Sequence, residues 1–126
     1  MYSLKIVCDT ENGSNVVAVD ARGEVEGGKL VLKYGYDGAE YTLVLKEDGI
    51  LHERSGDVSL KMEFERGRKT LCTLEDSTGK GSFEISTEEL EITLTESVCK
   101  AFCVYSDDGG ESKTTLNITA TLVSEG

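Results

Sequence analysis

The chain carries one histidine, His52, so proton transfer through an imidazole would have to run through that residue. A Ser-His-Asp or Cys-His arrangement also needs an activated nucleophile, and no Gly-x-Ser-x-Gly elbow surrounds any serine. Neither Gly-x-Gly-x-x-Gly nor Gly-x-x-x-x-Gly-Lys-Ser/Thr occurs, which removes the glycine loops that cradle nucleotide phosphates. Four cysteines, Cys8, Cys72, Cys99 and Cys103, contain no Cys-x-x-Cys spacing. Four residues of extended strand at roughly 3.3 Å each put Cys99 and Cys103 about 13 Å apart, whereas thiolates sharing a zinc each sit about 2.3 Å from it. The sequence therefore predicts no metal, no cofactor and four free thiols of the kind a reducing compartment maintains. Asp107-Asp108-Gly109-Gly110-Glu111 offers oxygen ligands but lacks the alternating spacing and distal glutamate of a calcium loop, and reads as a turn. With 24 acidic residues, a close pair such as Glu88-Glu89 is expected by chance and assigns no acid-base role.

What remains is His52 with Arg54. A guanidinium on an inward face among leucines would attract an anion and grip a carboxylate through two hydrogen bonds. Tyr34 and Tyr41, on neighbouring strands and on the face of Leu32 and Leu43, would add hydroxyl contacts. Without a ligand such an arginine should pair with an acid such as Glu53 or Glu63, or turn to solvent. Its direction depends on the turns. A two-residue turn at Asp48-Gly49 sets Leu45 opposite His52 and Leu43 opposite Arg54, with both polar residues on the leucine face. A two-residue turn at Gly56-Asp57 instead puts Leu51 and Glu53 on the face of Leu60 and Met62. Both apolar faces point inward only if a bulge or an odd-length loop intervenes, and the sequence leaves its place open.

The elements that would position these residues are strands. Val58, Leu60, Met62 and Phe64 alternate with Ser59, Lys61, Glu63 and Glu65, the period of two of a half-buried strand. The turn sequences Asp48-Gly49, Gly56-Asp57 and Arg66-Gly67 cut residues 41–74 into four strands of an antiparallel meander. Tyr2, Leu4, Ile6 and Cys8 form a first apolar face, Leu30, Leu32, Tyr34 and Tyr36 another, and Leu116, Ile118, Ala120 and Leu122 the last. Residues 14–28 have no clear register, with Arg22-Gly23 and Gly27-Gly28 suggesting loops or bulges. No stretch shows a 3.6-residue period, and proline is absent. Eight or nine short strands with no helix to cover an open sheet predict an all-β fold, a single antiparallel β-barrel over residues 1–126.

Charge limits the partners. The net charge is -11, spread over both halves: 12 acidic against 7 basic side chains in residues 1–63, and 12 against 6 in 64–126. That field repels phosphate backbones and anionic lipid, so neither nucleic acid nor a membrane is expected. Arg66, Arg68 and Lys69 read as a solvated turn. No basic region followed by a long apolar run opens the chain, and the expectation is a cytoplasmic protein.

Arg54-Ser55-Gly56, Met62-Glu63-Phe64-Glu65-Arg66-Gly67, the Thr78-Gly79-Lys80-Gly81 turn leading into Ile85-Ser86-Thr87, and the strand ending at Tyr105 before a glycine-rich turn together resemble the uncharacterised YwiB-like family of small bacterial proteins. The resemblance spans residues 25 to 123 and implies a calycin-like, lipocalin-shaped barrel with no assigned activity or ligand. The chain has no tryptophan, and so lacks the Gly-x-Trp entry strand of true lipocalins.

These readings converge on a non-catalytic barrel that binds a small anionic molecule in its mouth, with Arg54, His52, Tyr34 and Tyr41 as the binding residues. The alternative is an interaction or structural module that uses its outer surface; oligomeric state is not legible. The cysteine spacing makes a direct prediction. Protein unfolded without reductant should titrate four thiols and release no stoichiometric metal, and one zinc per chain would refute the reading.

Overall fold

The computed structural model describes residues 1–107 and 112–123. Alternating sequence becomes ten strands: β1 Tyr2–Thr10, β2 Gly13–Glu26, β3 Lys29–Tyr36, β4 Ala39–Lys46, β5 Gly49–Ser55, β6 Ser59–Glu65, β7 Lys69–Asp76, β8 Gly79–Leu94, β9 Val98–Ser106 and β10 Lys113–Leu122. Each pairs antiparallel with the next, and β10 returns to β1, closing the barrel. Closure pairs the first and last strands, which would otherwise be sheet edges. No helix among the described residues is long and apolar enough to cross a membrane.

Ten strands stand where eight or nine were expected. The 14–28 segment contains one continuous strand, and Arg22-Gly23 lies inside it rather than in a loop. Gly23 is small because the Tyr2 ring lies over it: an added Cβ would overlap that ring and come within 2.9 Å of Leu32 Cδ2. Asp37-Gly38 forms the β3–β4 turn, with φ of 50° and 79°, the left-handed pair that a two-residue hairpin of this hand requires.

β2 and β8 are the long strands, and each changes partner along its length. β2 pairs with β1 over Gly13–Ala21 and with β3 over Arg22–Glu26. β8 pairs with β7 up to Ser86 and with β9 from Ser86 onward. A register shift between Thr87 and Glu89 leaves Glu88 as an extra residue, so inward positions move from Ile85 and Thr87 to Leu90 and Ile92. The acid pair Glu88-Glu89 thus marks a bulge.

The β5–β6 connection holds the odd loop that the sequence required. Gly56-Asp57-Val58 separates the strands, so Arg54 pairs with Leu60 and His52 with Met62. The β4–β5 turn is Glu47-Asp48, one residue earlier than Asp48-Gly49, which sets Leu43 opposite His52 and Tyr41 opposite Arg54. Both apolar faces then point inward.

The interior is filled. Leu4, Leu32, Leu43, Leu45, Ile50, Phe64, Ile85 and Leu90 are almost wholly buried, and the Phe64 ring meets Tyr105 edge-on at 5.0 Å across the barrel. The seam beside β6 is completed by side chains. Its ladder with β7 covers only Ser59–Lys61, beyond which Thr70 Oγ1 donates to the Glu63 carbonyl at 2.5 Å. Arg66 donates from Nε and Nη2 to the Leu90 carbonyl at 2.8 and 2.5 Å, so it ties β6 to β8 and is not simply a solvated turn residue.

Valine has the better strand propensity, yet Gly23→Val must displace the Tyr2 ring. Overpacking of this kind costs about 1–3 kcal/mol. Urea unfolding should show the variant less stable by that amount; a variant of equal or greater stability would contradict the packing described.

Candidate functional site

The fold brings all four predicted site residues together. Tyr34, Tyr41 and Arg54 stand side by side on β3, β4 and β5, and His52 lies two residues from Arg54 on the same face. The rings of Tyr34 and Tyr41 stack at 5.0 Å with planes 4° apart. His52 packs at 5.5 Å from Tyr41 and 6.3 Å from Tyr34. The Tyr34 hydroxyl and His52 Nε2 share a hydrogen bond at 2.8 Å. Arg54 Nε donates to the Tyr41 hydroxyl at 3.2 Å, its Nη1 donates to the Val58 carbonyl, and its guanidinium carbon lies 6.0 Å from the Tyr41 ring centre.

Burial decides the charge states. It pushes the Tyr34 phenol far above its usual range, with the neighbouring Tyr41 adding to the effect. It pulls His52 down to about 4, so the imidazole is neutral at neutral pH. Tyr34 and His52 therefore meet as two neutral partners, and Arg54 is the one charge in the cluster.

Arg54 does not take the acid partner expected of it. Glu63 lies 4.0 Å from Lys61, and no ion pair among the described residues involves Arg54. The arginine is oriented by a phenol and by the carbonyl of Val58, which the alternation placed in the strand with Leu60 and Met62 but which lies in the odd loop before β6. It lines two clefts at this end of the barrel. One of about 380 Å³ includes Leu60, Lys61, Leu74, Glu75 and Lys80; the other, of about 250 Å³, includes Lys33, Tyr41 and Thr42. Lys80 is paired with Glu75 at 3.7 Å.

The thiols are poor nucleophiles. Cys72, Cys99 and Cys103 are buried and Cys8 is half-buried, all four unbridged. Burial pushes Cys99 up to about 11 and Cys103 to about 12, and raises Cys8 and Cys72 as well. No group of three or more His, Cys, Asp or Glu among the described residues is placed to hold a metal. The Asp107–Glu111 turn falls largely outside the described residues, at 108–111.

The His52 shift has a stability consequence. With a native value of about 4 against an ordinary 6.5, the unfolded chain binds a proton between these pH values that the native chain does not. Stability is thus full above the ordinary value and falls as pH drops toward 4, by on the order of 3 kcal/mol. Other acids titrate in the same range, so the measurement is a difference. Between pH 7 and pH 4 the His52→Gln variant should lose less unfolding free energy than the parent, and equal losses would mean His52 is not held neutral.

Among curated proteins, none matches this chain. The crystal structure of the YwiB protein from Bacillus subtilis has a similar fold, with a TM-score of 0.77 at 20% sequence identity over 98% of this chain and 90% of that one. Identity at that level speaks to the fold alone, and it agrees with the closed antiparallel barrel described above. The model of a family described as a domain of unknown function, DUF1934, matches residues 3–118, and the chain belongs to that family.

Proposed function

We propose that this protein is a cytoplasmic, non-enzymatic barrel of calycin-like type that binds a small anionic molecule at the Arg54 end. The observation that carries the reading is Arg54 itself. It is half-buried, held by the Tyr41 hydroxyl and the Val58 carbonyl, and makes no ion pair with a described residue. A guanidinium so oriented loses little freedom on gripping a carboxylate, and preorganisation of that kind favours affinity. Lys33, Lys61 and Lys80 line the same clefts beside Glu40, Glu53 and Glu75, and Lys61 and Lys80 are paired with Glu63 and Glu75, so the reading rests on Arg54 and not on a positive lining. By register Lys33, Thr42, Glu53 and Lys61 lie on the outer face of the barrel, so the clefts join the Arg54 end to that outer face.

Catalysis has little support from the same groups. His52, held down at about 4, is a weak base engaged by Tyr34, and burial keeps the thiols protonated, which supports the non-catalytic reading. The acidic surface disfavours nucleic acid and anionic membranes as partners. A second reading, an interaction module using its outer surface, draws on Leu71, which points outward from β7 and is 63% exposed.

The test uses native mass spectrometry for a copurified ligand and thermal shift with citrate, succinate, benzoate and phosphate. At least one anion should bind the parent saturably. Arg54→Leu should bind it about 10–100-fold more weakly, the range set by a charged hydrogen-bonded pair, while keeping its β spectrum. Unchanged affinity would remove Arg54 from the site. No bound anion in either experiment, together with a copurifying protein lost on Leu71→Lys, would favour the outer surface.

A further inference from the structure

The opposite end of the barrel has a different chemistry. Val25 pairs with Leu30, Leu94 with Cys99 and Leu122 with Tyr2, so by register all three share the inward face of a buried neighbour. Inward positions in a closed barrel are its most protected, yet these are 73%, 38% and 44% exposed. Val25 and Leu94 line a cleft of about 390 Å³, whose deeper walls are the buried Tyr2, Leu30 and Cys99. Polar side chains in its lining are few: Lys29 at the start of β3, and Thr95 and Glu96 on the β8–β9 turn.

We infer that this cleft is a second ligand site, taking a small apolar molecule, an alkyl chain or fused ring, that carries one anionic group. Three observations favour that occupant. The volume lies within the range of small-molecule pockets, about 300–1,000 Å³. The site is concave, so a flat protein surface would cover the rim without touching Leu30 or Cys99, whereas a narrow apolar ligand reaches both. Lys29 makes no ion pair with a described residue and supplies the complement to an anionic group, while Glu96 in the same lining disfavours a second negative charge. The site is independent of Arg54. It lies at the end that carries the Gly27-Gly28 and Glu47-Asp48 turns, and Arg54 lies at the other end of β5.

The experiment titrates the protein with 8-anilino-1-naphthalenesulfonate, follows its fluorescence, and competes it with decanoate. Expected are saturable binding at one probe per chain and displacement by decanoate. Leu94→Glu and Val25→Glu should each weaken binding at least tenfold with unfolding midpoints close to the parent's, because both side chains are already exposed. Lys29→Gln should weaken it severalfold and reduce its salt dependence. The inference is overturned if binding does not saturate, or if Val25→Glu and Leu94→Glu bind like the parent. It is equally overturned if sedimentation shows a dimer that Leu94→Glu converts to monomer, since the mouth would then be an interface between copies.

Discussion

Side chains along a β-strand alternate with a period of two, and in a closed barrel that period must agree across every seam. A one-residue slip anywhere turns a leucine face outward. Among the described residues this chain meets the constraint with three odd steps: the three-residue loops Gly56-Asp57-Val58 and Arg66-Gly67-Arg68, and the bulge at Glu88. The first loop keeps Tyr41, Leu43, His52, Arg54, Leu60 and Met62 on one face, the second keeps Leu60 with Leu74, and the bulge keeps Ile85 and Leu90 together inside. The bulge also falls where β8 leaves β7 for β9, so the fold uses one irregularity to turn a corner and correct the phase. It leaves a mark in Thr87, whose buried Oγ1 has no hydrogen-bond partner among the described residues.

The polar cluster follows from that phase. With His52 and Arg54 turned inward, each must find a partner or lose the hydration it had in the unfolded chain. Tyr34 and Tyr41 supply those partners, one hydroxyl for each, and their stacked rings fill the space between. The histidine resolves its burial by staying neutral. The arginine cannot, and is held at the barrel end where water and clefts remain. The network that partners the inward histidine and the arginine proposed to meet an anion are thus the same set of atoms.

The two ends of the barrel differ because the strands there end differently. At the Arg54 end the inward rows finish in tyrosine, histidine and arginine. At the other they finish in Val25, Leu94 and Leu122, left exposed at a mouth. Between them a layer of buried Leu, Ile and Phe separates the two regions. The likeness to YwiB concerns this architecture, and activity in a fold of this kind resides in its sites.

Much of this was legible in the residues. Alternation in Val58, Leu60, Met62 and Phe64, the Asp-Gly turns and the absence of any helical period determine an antiparallel all-β chain, because side-chain direction and turn chemistry are local properties. The grouping of Tyr34, Tyr41, His52 and Arg54 on one face was one of two readings the sequence left open, since a simple turn at Asp48-Gly49 puts His52 and Arg54 on the leucine face and a simple turn at Gly56-Asp57 puts Leu51 and Glu53 there instead. The sequence required a bulge or odd-length loop somewhere around the turns at Asp48-Gly49 and Gly56-Asp57 without locating it. Its place, the continuity of β2 through Arg22-Gly23, the switch of β8 from one partner to another and the open mouth at Val25 and Leu94 were decided by tertiary structure alone. Each depends on which distant strand lies alongside, as Gly23 depends on the ring of Tyr2. Pairing of that kind is settled by closure of the whole ladder, which no local window contains.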